Sequence, residues 1–431
     1  MAIKILVAGD LHLGRSSGGI PGGMEEISTR ETWKRIVERC IAIKADMLLL
    51  TGDIVDRDNR YFEAIGPLQS GFTRLRDAGI MVFMVAGNHD FDVLQQIAVS
   101  GDYDNVRFLG KGGEWELARF EKDGEQIQVA GWSFPLQYVY ENPLLSFGRI
   151  SPDPNYPLIG LLHCDLAAGE SRYGHVGETD FLAKGADVWA LGHIHKPWVI
   201  NRERPLVFYP GSPHALSAKE TGARGPVLLT MEGRSVSSEQ VPLSPVRYET
   251  LFVDITGCAD ESDVRSTITR KLYDDGLKQT SGQQELAWIV YDIVLSGTHK
   301  SPRDAESWAS TGKEDYMHEI RPGTKIIIRT IDSIISPGIE SLEKLAGETS
   351  PAGKLAETLL ALREGRTTPF IDSVLADWNL KFQAISDSPA YLPVRPAVKN
   401  PDISQESINL IEKECTRLLG ELIQQQNKLQ P

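Results

Sequence analysis

Five short clusters of Asp, Asn and His carry the side chains most capable of chemistry: Gly9-Asp10-Leu11-His12, Gly52-Asp53-Ile54-Val55-Asp56-Arg57, Gly87-Asn88-His89-Asp90, His163 and Gly192-His193-Ile194-His195. Carboxylate, amide oxygen and neutral imidazole suit intermediate divalent ions such as Mn²⁺, Fe²⁺ or Zn²⁺, and the lack of nearby thiolates argues against a structural zinc. Asp10, His12, Asp53, Asn88, His163, His193 and His195 make seven donors. One ion takes about four from a protein, so seven suit two ions with one bridging carboxylate. Two ions roughly 3.5–4 Å apart can share a phosphoryl oxygen, generate hydroxide near neutral pH and stabilise an in-line displacement, which is phosphoester hydrolysis. His89 is left over and is assigned to the leaving oxygen or to transition-state charge, oriented by Asp56. His175, His214, His299 and His318 fall in no motif and read as structural or surface residues.

Each cluster stands directly after a short apolar run. The sequence predicts strands at Ile3–Ala8, Met47–Thr51, Ile80–Ala86, Ile127–Ala130, Leu158–Leu162, Val188–Leu191 and Val227–Thr230, with helices at Thr29–Lys44 and Phe62–Asp77. Strand C-termini in a layered α/β domain face a shared crevice, so distant residues can converge there. The glycines let the chain turn off each strand and aim the next side chain. At 431 residues the chain exceeds one ordinary core. We expect three parts: residues 1–245, an α+β part over 246–335 after the break at Val241–Pro245, and a helical part over 336–431. A further Pro-rich break, Leu392-Pro393-Val394-Arg395-Pro396, precedes a terminal apolar stripe of Ile408, Ile411, Cys415, Leu418 and Leu422.

Composition narrows the class. Hydrophobic residues make 41 % and charged residues 24 %, which excludes a mostly disordered or fibrous chain. The net charge of −14 means that overall charge cannot recruit nucleic acid; bound cations or a local basic patch would have to. Cys40, Cys164, Cys258 and Cys415 are dispersed and form no C-x-x-C, pointing to a reducing compartment. The apolar stretch Ile5–Ala8 ends at Gly9-Asp10, too short for a signal peptide or membrane span, so a cytoplasmic protein without membrane association is expected.

The ordered series D-x-H, G-D, G-N-H-D, a lone His and G-H-x-H resembles the calcineurin-like metallophosphoesterase superfamily. That resemblance implies two facing β-sheets flanked by helices. It implies one ion held by Asp10, His12, Asp53 and His195 and another by Asp53, Asn88, His163 and His193, with Asp53 bridging and Asp56–His89 as a catalytic dyad. Gly9–Gly14, Tyr209-Pro210-Gly211-Ser212-Pro213, Glu220-Thr221-Gly222-Ala223-Arg224-Gly225 and the extension further resemble the SbcD-type DNA-repair exonuclease family, including its YhaO-like branch. Membership there would imply DNA as substrate, Mn²⁺ as the ion, an SMC-like coiled-coil ATPase as partner docked partly on C-terminal helices, and room for a homodimer. Gly52–Arg57 is also similar to the G-D-x-V-D-R of phosphoprotein phosphatases, in which the Arg grips phosphate, so Arg57 is a candidate substrate-binding residue. Hydrolysis of a small or protein phosphoester is therefore an alternative, and a non-catalytic docking scaffold a third.

Overall fold

A computed structural model gives the fold and describes residues 2–20, 27–57, 64–100, 103–166, 171–281, 283, 285–337, 342–386 and 403–429. The expected break at Leu392–Pro396 lies outside these residues, as does the start of the expected helix at Phe62.

Two six-stranded sheets form the body of the first unit. One comprises β1 (Ile3–Ala8), β2 (Met47–Leu50), β3 (Met81–Met84), β4 (Val106–Phe108), β11 (Val227–Glu232) and β12 (Ser235–Gln240), in the order β12-β11-β1-β2-β3-β4. The other comprises β5 (Glu116–Lys122), β6 (Glu125–Trp132), β7 (Leu158–His163), β8 (Val188–Gly192), β9 (Trp198–Asn201) and β10 (Leu206–Tyr209), in the order β5-β6-β7-β8-β10-β9. Strands β1 to β4 pair in parallel, as do β6, β7, β8 and β10, which puts their C-termini at one edge of each sheet.

Parity along the strands builds the layers. In β1, Ile3, Ile5 and Val7 point into the core shared with Val129, Leu161, Ala190 and Phe208 of the second sheet. Leu6 and Ala8 point the other way, onto α1 (Thr29–Ala42) and α2 (Ile65–Asp77) through Trp33, Ile36, Val37, Leu68 and Phe72. The outer face of the second sheet buries Trp132, Leu162, Trp189 and Leu191 against Phe147 and Phe181, the latter in α4 (Glu178–Leu182). Strands covered on both faces read as unbroken apolar runs, which is why β1, β2, β7 and β8 are legible in the sequence. The short helix α3 (Leu94–Ser100) follows the third strand-end loop.

The chain divides into two compact units: residues 1–250, 273–292 and 316–329, and residues 251–272, 293–315 and 330–431. A four-stranded sheet comprises β13 (Val246–Asp254), β14 (Trp288–Ser296), β16 (His318–Arg321) and β17 (Thr324–Ser333), in the order β13-β14-β17-β16; β13, β14 and β17 run through this division, and β16 belongs to the first unit. Helix α5 (Glu261–Thr280) lies between β13 and β14 in the chain. The second unit also holds the short β15 (Thr298–His299) and β18 (Ser336–Pro337), α6 (Pro302–Ser310), and the helices α7 (Leu342–Ala346), α8 (Pro351–Arg363), α9 (Pro369–Ser386) and α10 (Ile403–Leu429).

The terminal stripe has a use inside this unit. Cys415 and Leu419 of α10 are buried against Ala352, Ala356 and Leu359 of α8, with Ile411 and Leu422 alongside. Leu418, read from periodicity as part of the same face, is 40 % exposed, while Leu419 is fully buried. Phe370, Trp378 and Leu380 of α9 remain exposed. All four cysteines are free thiols. No helix among the described residues is long and apolar enough to cross a membrane.

Candidate metal centre

The strand-end loops hold their side chains in conformations that most residues avoid. Asp10, His12 and Asp53 have φ near +50°, and His193 has φ 103°. L-residues pay a steric penalty there, so surrounding bonds must hold them. The Asp10 amide donates to Gly52 O (3.0 Å) and the His12 amide to Asp53 O (3.0 Å), lacing the β1 and β2 loops together. Asp90 laces the β2 and β3 loops: its fully buried carboxylate accepts from the amides of Gly87 (2.8 Å), Ile54 (2.7 Å) and Val55 (3.3 Å). Burial and the neighbouring Asp53 charge push Asp90 up to about 7. Two of the glycines serve close approach. A Cβ on Gly87 would lie 2.2 Å from Asp53 Oδ1, and one on Gly192 would lie 2.1 Å from Thr51 O.

The predicted donors meet in this crevice. His12 Nε2 lies 3.1 Å from His195 Nε2, and both rings group with the Asp10 carboxylate, their candidate ligand atoms all within 4.8 Å of one another. His163 Nε2 lies 3.1 Å from Asn88 Oδ1 and 3.4 Å from Asp53 Oδ2. Asp10, Asp53 and His163 form a second such group, so Asp10 is common to both. His193 joins through its amide, which donates to both Asp10 oxygens (3.0 and 3.1 Å), and through its ring, 5.3 Å from that of His163. Asp53 Oδ1 accepts from the His89 amide at 2.8 Å.

Tautomers show whether this donor set fits a cation. The His163 Nδ1–H donates to Thr51 O at 3.1 Å, which leaves Nε2 as a bare lone pair facing Asn88 Oδ1 and Asp53 Oδ2. The His195 Nδ1–H donates to Glu220 Oε1 at 2.6 Å, leaving its Nε2 lone pair toward His12 and Asp10. Lone pairs crowded together in a buried crevice repel one another unless positive charge lies between them, so the residues fit divalent cations. Burial lowers His163, and lowers His193 to about 4 with the help of neighbouring His163, so these rings stay neutral and able to ligate. For Asp53 burial alone would raise the pKa, but His163, His12, His89 and the His89 amide together bring it below the usual carboxylate range. Burial is also the largest influence on Asp10, and there it prevails over the pull of His195, so Asp10 is raised.

His89 is half-buried beside the donors, its ring 4.8 Å from that of His12. Burial lowers its pKa despite the nearby Asp53 charge. Asp56 Oδ1 is 3.8 Å from His89 Nδ1 and 3.3 Å from His12 Nδ1, so it lies nearer His12 than His89. Arg57, next in the chain, is exposed.

Glu220 has no assigned role in the sequence, and His214 reads there as a structural or surface residue. Glu220 grips His195, although its motif was visible in Glu220–Gly225. His214 is fully buried: Ser17 Oγ donates to Ala215 O and accepts from His214 Nε2 (2.9 Å), while Thr32 Oγ1 donates to His214 Nδ1 (2.8 Å). Burial in this neutral arrangement lowers His214 to about 4.

Comparison with known proteins adds an independent line. Residues 3–197 match the calcineurin-like phosphoesterase family. The chain is 31 % identical over 263 residues to the uncharacterized metallophosphoesterase YhaO of Bacillus subtilis, covering 59 % of this chain and 64 % of that protein. It is 25 % identical over 338 residues to the DNA double-strand break repair protein Mre11 of Methanopyrus kandleri, covering 72 % of this chain and 69 % of that one. With Mre11 of Aeropyrum pernix it shares 25 % identity over 370 residues, 80 % of this chain and 87 % of that one.

Proposed function

We propose, from the match of residues 3–197 to the calcineurin-like phosphoesterase family, that this chain is a two-metal phosphodiesterase acting on DNA ends or structured DNA, with Mn²⁺ as its ion. Metal-dependent phosphoester hydrolysis follows from the superfamily. The observation that carries the DNA reading is the reach of the similarity: alignment with the two Mre11 proteins continues well past residue 197, over 338 and 370 residues.

In this reading Asp10, His12, Asp53 and His195 hold one ion and Asp53, Asn88, His163 and His193 the other. When bound, the ions supply a hydroxide near neutral pH and neutralise phosphate charge, which also answers the chain's net charge of −14. His89 presents its ring to the leaving oxygen, giving it a proton or an N–H hydrogen bond. Asp56 keeps both His12 and His89 oriented. Arg57, exposed at the rim, meets a flanking phosphate of the substrate. Residues 246–335 act as a cap on the phosphoesterase part, and the helical part from 336 is where an SMC-like coiled-coil ATPase would dock in a reducing, cytoplasmic setting. The apolar face of α10 around Cys415 and Leu419 is engaged with α8, so the exposed Phe370, Trp378 and Leu380 of α9 are better placed for that role.

The test is hydrolysis of linear duplex and single-stranded DNA by the full chain with Mn²⁺, beside a panel of phosphomonoesters and cyclic nucleotides. DNA degradation is the expected result. Intact DNA with hydrolysed monoester would overturn the DNA reading and favour the phosphatase suggested by Gly52–Arg57.

A further inference from the structure

Among the imidazoles gathered at the strand ends, His195 makes the shortest Nδ1–carboxylate contact, 2.6 Å to Glu220 against 3.3 Å from His12 to Asp56. Its carbonyl accepts from the Ser212 amide (2.9 Å) and from the Arg224 guanidinium. Its ring Nδ1–H donates to Glu220 Oε1 at 2.6 Å, while Glu220 Oε2 accepts from the Leu216 amide at 2.5 Å. Both carboxylate oxygens thus receive N–H donors, the arrangement of an ionised acid that can only accept. Glu220 is itself buried, and its own amide donates to Ser217 O (2.9 Å), so the grip is preset by the loop. The corresponding nitrogen of His163 donates instead to the neutral carbonyl of Thr51.

An anionic partner on one ring nitrogen fixes the tautomer and makes the other nitrogen a stronger donor than a carbonyl partner does. We infer that Glu220 is a positioning residue that commits His195 to ligation through Nε2 and makes the ion position at Asp10, His12 and His195 the tighter of the two. This rests on the two-ion reading above but does not depend on which phosphoester is cleaved. Arg224 holds the same residue by its main-chain carbonyl.

Isothermal titration of the ion-free full chain with Mn²⁺ separates the possibilities, with thermal melting of each ion-free protein as the check on folding. Wild type should bind two ions in two resolved steps, the first tighter. Glu220→Ala should weaken the tighter step by about 10–100-fold and leave the weaker step in place. Glu220→Gln, nearly isosteric, should weaken it at least as much. One amide cannot accept from both His195 Nδ1–H and the Leu216 amide, and an NH₂ facing Nδ1 draws the ring into the tautomer that cannot ligate. Gln also keeps the test informative if the Ala variant fails to fold. Wild-type isotherms for either folded variant, or equal weakening of both steps, would overturn the inference while leaving the two-ion reading standing. A wild-type chain that takes up no Mn²⁺ would overturn both.

Discussion

The strand-end crevice and the helices α7 to α10 are built on opposite terms. In the crevice, Asp10, His12, Asp53, Asn88 and His163 are all buried, several on left-handed backbone, and their lone pairs converge. In the helical stretch the buried side chains are small or aliphatic, Ala352, Ala356, Leu359, Cys415 and Leu419, and charged groups stay outside in pairs such as Arg363–Glu412. The first arrangement costs stability and is explained by chemistry; the second is explained by packing alone. Substitutions should therefore separate activity from stability according to region.

The largest expected effect is on turnover. His89→Ala should reduce kcat by about 10²–10⁴-fold while Mn²⁺ content and melting stay near wild type, read by steady-state DNA hydrolysis beside metal analysis. Loss of bound Mn²⁺ in that variant would make His89 a ligand. In the helical region Leu419→Ala should do the reverse. It should lower unfolding free energy by about 2–5 kcal/mol in denaturant titration and leave the Mn²⁺ isotherm unchanged.

Acid sensitivity sharpens the contrast further. His214 titrates near 4 when folded against about 6.5 when unfolded, so below about 6.5 the unfolded chain binds the extra proton and stability falls as the pH drops toward 4. The loss should reach on the order of 3 kcal/mol for this residue, measured without metal between pH 7 and 4, and His214→Gln should remove that share of the slope. The smallest effect belongs to the surface. Arg363→Ala, which breaks the exposed pair with Glu412 (3.1 Å), should change stability by no more than about 1 kcal/mol.

What the sequence discloses follows from the range of each interaction. The interior strands are visible because burial on two faces demands apolar runs such as Met47–Leu50 and Val188–Leu191. The charged β5 (Glu116–Lys122) and the polar edge strand β12 (Ser235–Gln240) give no such signal. The donor clusters stand out because Asp, Asn and His follow strands directly, and parallel pairing carries those strand ends to one edge. Glu220 does not stand out, since it meets His195 from an irregular loop 25 positions further on, and His214 finds its hydroxyl partners 197 and 182 positions away in Ser17 and Thr32. For α10, periodicity reveals an apolar face but not that α8 covers it, nor that Leu419 rather than Leu418 points inward.

Anomalous diffraction from a crystal soaked in Mn²⁺ addresses the central claim without any assay of substrate. The account predicts two peaks about 3.5–4 Å apart, one beside Asp10, His12 and His195 and the other beside Asn88, His163 and His193, with Asp53 reaching both. A single peak at saturating Mn²⁺, or peaks away from these side chains, would contradict it.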